Sequence, residues 1–242
     1  MGKALVLLRK AVELDPSRAM LHSLLGNGLL DDNQLTTSLP EFAKAVELAP
    51  DDGAFHYDYA NVLAKLERNE EAVTHYVAAL RTAPDDVGAL TNYGALLRRM
   101  KRLPEALEQL QKAVKLKPDE ARSRSNLGVA LLVSGQREAA LKELTEALRL
   151  KPKLPQALYH LGTALAESGQ AEEAIVRWEA LIEVARPTAE LLSNLGVLYA
   201  RVGKLDEAVV RLKQAVEIDP KHSAAQENLA KINAYLQSHP VR

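Results

Sequence analysis

A chain of 242 residues with 47% hydrophobic, 26% charged and only 4% aromatic residues has the composition of an ordinary folded protein, which excludes a disordered one. A net charge of -1 argues against a polyanion such as bulk nucleic acid, or an anionic membrane surface, as the partner. There is no cysteine, so disulfides and thiolate chemistry are excluded; the cytoplasm is the expected compartment, with the periplasm left open.

Residues 1–18 begin with an apolar run, KALVLLRKAVELDP, too short and too charged for a signal peptide or a membrane span. Its Ala4, Leu8, Ala11 and Pro16 return as Ala140, Leu144, Ala147 and Pro152, a whole number of 34-residue periods later. Prolines 16, 50, 84, 118, 152 and 220 share that lattice, which makes the chain an array of copies. Residues 1–18 are then the second helix of a copy whose first helix is missing. That start leads to two expectations: a fragment of a longer array, and self-association of the exposed seam with another copy of the chain.

Ten residues after each lattice proline position stand Gly26, Ala60, Gly94, Gly128, Gly162, Gly196 and Ala230, inside apolar-periodic segments. Glycine inside a helix costs about 1 kcal/mol relative to alanine, so its return implies close approach of a second helix. Gly135, Gly169 and Gly203 mark a breaker where glycine can end a helix in the left-handed conformation. Each copy therefore reads as helix, tight turn, helix, then a proline-marked turn: an antiparallel hairpin. Ordering 34 residues costs roughly 50 kcal/mol, more than one helix seam can offset, so the hairpins must stack.

Residues 19–52 fit least well: with Pro40 where other copies run unbroken, the second helix is expected to start late, at a Ser38–Glu41 capping box. Residues 53–86 and 87–120 carry Glu67 and Lys101 in place of the turn glycine, which predicts less relaxed turns. Residues 121–154 are the clearest copy. In residues 155–188, Trp178 and Leu181 enlarge two slots where the proline is missed, predicting a shift in packing with Trp178 in the core. Residues 189–222 return to pattern, and 223–242 turn polar, as a capping helix and tail.

Arg124, Leu127, Gly128, Leu131, Ala140, Leu144, Ala147 and Pro152 carry a resemblance to the tetratricopeptide repeat (TPR) family, Arg124 being the clear departure. The resemblance implies an all-α, right-handed superhelical solenoid of antiparallel helix hairpins, with a concave groove lined by the first helix of each repeat. It implies a protein–protein interaction scaffold that holds an extended segment of a partner in that groove.

No enzyme signature is present. The phosphate-loop candidate at Gly196–Lys204 has Leu205 where a hydroxyl is needed, and the run from Asp31 lacks the glycine and glutamate of a calcium loop. His22 and His56 share a slot but have no third ligand. No catalytic residue, metal or cofactor is expected.

On the slots that the resemblance places in the groove stand Asn92, Asn126, Asn194 and Asn228, with Asp58 and His160 at equivalent places. An amide offers both a donor and an acceptor, so such a ladder can bond a peptide backbone without reading its side chains. The same ladder occurs in the repeat domain of the glycosyltransferase that attaches N-acetylglucosamine to Ser and Thr. The structural alternative is that these asparagines tie one repeat to the next. Arg98, Arg99 and Arg122 beside Asn61 add positive charge suited to a carboxylate. This resembles in part the carboxylate clamp of chaperone adaptors in the family: Asn61, Asn92 and Arg122 sit at clamp slots, while Tyr57 replaces the clamp lysine and Asn126 the clamp arginine. The alternative is a solvated basic edge balanced by Asp85, Asp86, Asp119 and Glu120. Tyr57 and Tyr159 are expected to add apolar grip. Alanine at Asn92 and Asn126 is expected to weaken peptide binding and spare stability. Two rivals remain: a recruiting region cut from a larger enzyme such as a glycosyltransferase, and an RNA-binding helical repeat, which the charge and period disfavour.

Overall fold

The computed structural model describes residues 2–239, so the last three residues of the predicted tail lie outside the described residues. Among the described residues there are fourteen helices and no strand. They divide into two compact units, with the break after Ala130.

The first unit opens with α1 (Gly2–Leu14), which packs on α2 (Ala19–Asp31). Three hairpins follow in order: α2 with α3 (Leu35–Leu48), α4 (Gly53–Lys65) with α5 (Asn69–Thr82), and α6 (Val87–Arg99) with α7 (Leu103–Leu116). The second helices α3 and α5 pack on the first helices that follow them, α4 and α6. Helix α8 (Ala121–Val133) runs across the break. In the second unit α9 (Arg137–Leu150) packs on α10 (Pro155–Glu167), which pairs with α11 (Ala171–Ile182). Next, α12 (Ala189–Arg201) pairs with α13 (Leu205–Ile218), and α14 (Ser223–Ser238) covers that pair.

The small slots are where the helices touch. Ala72, Ala106, Ala140, Ala174 and Ala208 are fully buried, as is Ser38 in the same slot. A Cβ added to Gly26, Gly94, Gly162 or Gly196 would fall 2.4–2.8 Å from Phe42, Leu110, Trp178 or Leu212, each sixteen residues on in the second helix of the same hairpin. The helical glycine therefore exists to admit that one bulky side chain. Trp178 is buried, as expected, and its helix α11 is two residues shorter than α9 and α13, ending early beside the missing proline.

One expectation is corrected. Helix α3 starts at Leu35, in the same slot as α5, α7, α9, α11 and α13, and Pro40 lies inside it. The Ser38 hydroxyl donates to the Leu35 carbonyl at 2.7 Å and makes no capping box. The reason is in the turn: Asn33 takes φ +59° and lets Gln34 N–H reach back to the Leu29 carbonyl at 2.8 Å. The same backward bond closes the other five turns, from Arg68 to Leu63, Arg102 to Leu97, Gln136 to Leu131, Gln170 to Leu165 and Lys204 to Tyr199. Glu67 and Lys101 hold the left-handed position at φ +61° and +63°, where Gly135, Gly169 and Gly203 sit at +79° to +81°.

The turn glycines face open space, with nothing within 4 Å of an added Cβ. Gly135→Ala should therefore cost only its conformational penalty, about 1 kcal/mol, and Glu67→Gly should gain up to about 1 kcal/mol by relieving the same strain. Urea midpoints of the two variants, moving in opposite directions, check this; movement in one direction would refute it.

Arg124, the departure from the family pattern, also finds its reason. Its Nε donates to the Pro118 carbonyl at 2.6 Å, and His22, His56 and Gln226 in the same slot bond the carbonyls of Pro16, Pro50 and Pro220. Leu90 holds that slot in the copy that follows Pro84, and there Lys112 Nζ donates to the proline carbonyl instead.

Candidate functional site

A cavity of about 430 Å³ opens on the first helices of the first unit, between α2, α4, α6 and the start of α8. Tyr57, Asn61, Asn92, Arg98, Arg99 and Arg122, all candidates from the sequence, line it together. Asn27, Asp58, Lys65 and Tyr76 complete the polar wall.

The amides there are bonded to one another. Asn92 Nδ2 donates to Tyr57 Oη at 2.9 Å and to Asn61 Oδ1 at 2.8 Å, while Asn92 Oδ1 accepts from Arg122 at 2.9 Å. Buried Tyr76 donates its hydroxyl to the same Asn61 oxygen at 2.7 Å. Asp58, in the slot equivalent to Asn92, accepts from Ser23 and Asn27 at 3.3 Å each. Burial raises its carboxyl above the ordinary range, and those two bonds only partly oppose the rise. Slot residues 58 and 92 thus tie each first helix to the first helix before it.

The cations are spent unequally. Arg99 donates to the Ala64 carbonyl at 2.9 Å and to Asn69 at 3.3 Å. Arg98 has a buried Nε without a hydrogen-bond partner, and burial, then the charge of Arg99, lowers its pKa. Lys65, Arg98, Arg99 and Arg122 face one carboxylate, Asp58, so the cavity is basic. Asp86 and Glu120, read from the sequence as balancing acids, cap helices: Asp86 accepts from Ala89 N–H and Glu120 from Ser123 N–H, and Glu120 also feels the charge of Arg122.

The remaining candidates lie elsewhere. Asn126 is buried, at 4% exposure. Asn194 is exposed and Asn228 half-buried, and neither makes a hydrogen bond among the described residues. Asn194 and the exposed Tyr159 line a second cavity, of about 270 Å³, in the second unit. The α1 face expected to self-associate leaves Val6, Leu7 and Leu14 exposed. Tyr76, Lys65 and Asn27 were missed by sequence reasoning. Tyr76 had a signal, as the one hydroxyl-bearing residue among the bulky-slot partners of the small slot.

A histidine pair lies close by. His56 Nε2–H donates to the Pro50 carbonyl, so its Nδ1 accepts from His75 Nδ1–H at 2.8 Å, with the rings stacked 5.0 Å apart. Burial, then the charge of His56, lowers the His75 pKa from its ordinary 6.5, against the opposing pull of Glu71. Tyr59 closes the other side, its ring 4.6 Å from His75. A folded-state pKa below the unfolded one means that the neutral form stabilises the fold above pH 6.5, and that this is lost as pH falls through the folded value. Thermal midpoints should therefore drop from pH 7 to pH 5, with a shallower slope in His75→Gln; identical slopes would refute the assignment.

Among the described residues no group of three or more His, Cys, Asp or Glu could hold a metal, and no helix is long and apolar enough to cross a membrane.

Stacked two-helix hairpins with a recurrent small slot and a left-handed turn define the chain as an all-α helical-repeat protein. It belongs to the tetratricopeptide repeat family: models described as tetratricopeptide repeat match residues 23–87, 57–121, 121–144 and 154–221. That family is typically one of non-catalytic protein-interaction scaffolds. No curated protein matches the chain. Among solved structures it is similar to pilF of Pseudomonas aeruginosa, with TM-score 0.79, 23% identity, and 90% of this chain covering 98% of that one. It is similar to a chain of the APC/C hetero-tetramer Cut9–Hcn1, with TM-score 0.81 and 18% identity, 95% of this chain spanning 45% of that one. It is also similar to YrrB, a TPR protein with an unusual peptide-binding site, with TM-score 0.61, 27% identity, and 77% of this chain covering 96% of that one.

Proposed function

We propose that the chain is a protein–protein interaction scaffold that holds an extended partner segment against its first helices, with an acidic group of that segment in the basic cavity of the first unit. The observation that carries the reading is the charge of the cavity: Lys65, Arg98, Arg99 and Arg122 line it together, and Asp58 is the one carboxylate in that lining. An incoming carboxylate pairs with these cations through charge-assisted bonds. The similarity to YrrB supports a peptide as the guest. Asn61, Asn92 and Tyr57 serve chiefly to hold Arg122 and the cavity wall in place, while Asn194 and Asn228 keep free amides for a backbone.

The test is a fluorescein-labelled hexaglutamate peptide titrated at 50 and 200 mM salt against the chain and its Arg98→Gln/Arg122→Gln variant. Binding should weaken with salt and fall about tenfold or more in the variant, with the thermal midpoint measured alongside because Arg122→Gln also removes the bond to Asn92 Oδ1. Equal binding by the two proteins would refute the reading.

A further inference from the structure

The two cavities are one pocket built twice. Advancing three lattice periods from the first cavity carries Tyr57 to Tyr159, Asn61 to Thr163, Ala64 to Ala166, Tyr76 to Trp178 and Asn92 to Asn194, and all ten residues line their respective cavities. The aromatic floor, the aromatic wall, the small residue and the amide are kept. What changes is charge. Lys65 becomes Glu167, the position of Gly88 becomes Glu190, and Arg98 and Arg122 become Ala200 and Ala224. Arg99 alone keeps its charge, as Arg201, but Arg201 is not in the lining of the second cavity, which holds two carboxylates and no cation.

The two carboxylates are not alike. Glu167 accepts from Arg137 at 2.7 Å and is neutralised within the fold. Glu190 makes no hydrogen bond or ion pair among the described residues and is exposed. In the same lining, Tyr159 is 43% exposed, while Trp178 is 5% exposed, its indole Nε1–H directed to the Tyr159 carbonyl at 3.3 Å. A cavity of 270 Å³ with one uncompensated carboxylate and one accessible aromatic face suits a single long cationic side chain. The ring attracts the cation and the carboxylate pairs with it.

We infer that the second cavity is a site for a basic side chain, arginine or lysine, of an extended partner segment. The chain then reads opposite charges with the same pocket design: an acidic group in the first unit and a basic group in the second. The inference rests on the reading of the chain as a peptide binder, but its site, ligand and reporter all lie in the second unit.

Trp178 is the only tryptophan in the chain, so its fluorescence and its indole N–H resonance report this cavity alone. The full chain is titrated with acetyl-Gly-Gly-Arg-Gly-Gly-amide and with the versions carrying Gln or Glu in place of Arg. Both signals should respond to the arginine peptide at millimolar concentration, about fivefold or more tighter than to the glutamine peptide, with the preference reduced by salt. Glu190→Lys, at an exposed position, should abolish arginine binding and create a preference for the glutamate peptide. Because Glu190 also stands in the first turn of α12, where a carboxylate favours the helix, the thermal midpoint of that variant is measured alongside. A structural role moves the midpoint but not the peptide preference. The inference is overturned if neither signal moves, if the arginine and glutamine peptides bind equally, or if Glu190→Lys keeps the arginine preference. Arg98→Gln/Arg122→Gln serves as the control. It should leave arginine binding intact, so failure of the acidic site and failure of the basic one are told apart.

Discussion

Gly162→Ala should destabilise the chain by about 1–3 kcal/mol, at the upper end of what one added methyl costs in a packed core. The new Cβ would lie 2.4 Å from both Cδ1 and Nε1 of Trp178, and a fused ring cannot yield by rotating one end. Alanine's better helix propensity returns about 1 kcal/mol, so the clash outweighs it only because Trp178 is rigid and buried. Gly94→Ala meets Leu110 at 2.6 Å, where a branched side chain can shift, and should cost less. The decisive comparison is a double-mutant cycle with Trp178→Leu, read by urea denaturation. In that background Gly162→Ala should lose most of its cost, and a full undiminished cost would show that the glycine serves something other than the indole.

The hairpins, the turns and the purpose of the small slot were legible in the sequence because each is a local demand repeated at a fixed period. A glycine that admits Leu110 or Leu212 leaves the same mark in every copy, and so does a left-handed turn. Asn33, Glu67 and Lys101 escaped that reading only in part, since they adopt the left-handed turn without the residue that advertises it. The late start proposed for α3 failed for this reason: Pro40 was the visible signal, while the backbone bond from Gln34 to Leu29 that sets the start leaves no mark in side-chain type.

The candidate site was legible in its members and not in their bonding. Spacing placed Asn61, Asn92 and Arg122 on one face, but a period cannot say whether an amide points to a guest or to its neighbour. That depends on what stands thirty-one and thirty-five residues earlier, which differs from copy to copy: Asn61 and Tyr57 precede Asn92, whereas Thr163 and Tyr159 precede Asn194. Two of these stations also carry an arginine or a buried hydroxyl into the same network, and only coordinates reveal it.

This difference reverses one expectation from the sequence. Asn92→Ala should lower stability by about 1–3 kcal/mol, because it strips a partner at once from Tyr57, Asn61 and Arg122 in a half-buried wall. Asn194→Ala, at an exposed position without a hydrogen bond among the described residues, should stay within about 0.5 kcal/mol of the parent. In a repeat array, stability is close to a sum of hairpin terms and nearest-neighbour interfaces. The loss at Asn92 therefore falls on the interface between α4 and α6, and hydrogen exchange should quicken there before it quickens in the second unit. Combining Asn92→Ala with Asn61→Ala should cost less than the two separate losses added, since both remove the same bond. If Asn92→Ala instead melts with the parent, its amide is held for a guest after all, and the ladder is a binding device in both units.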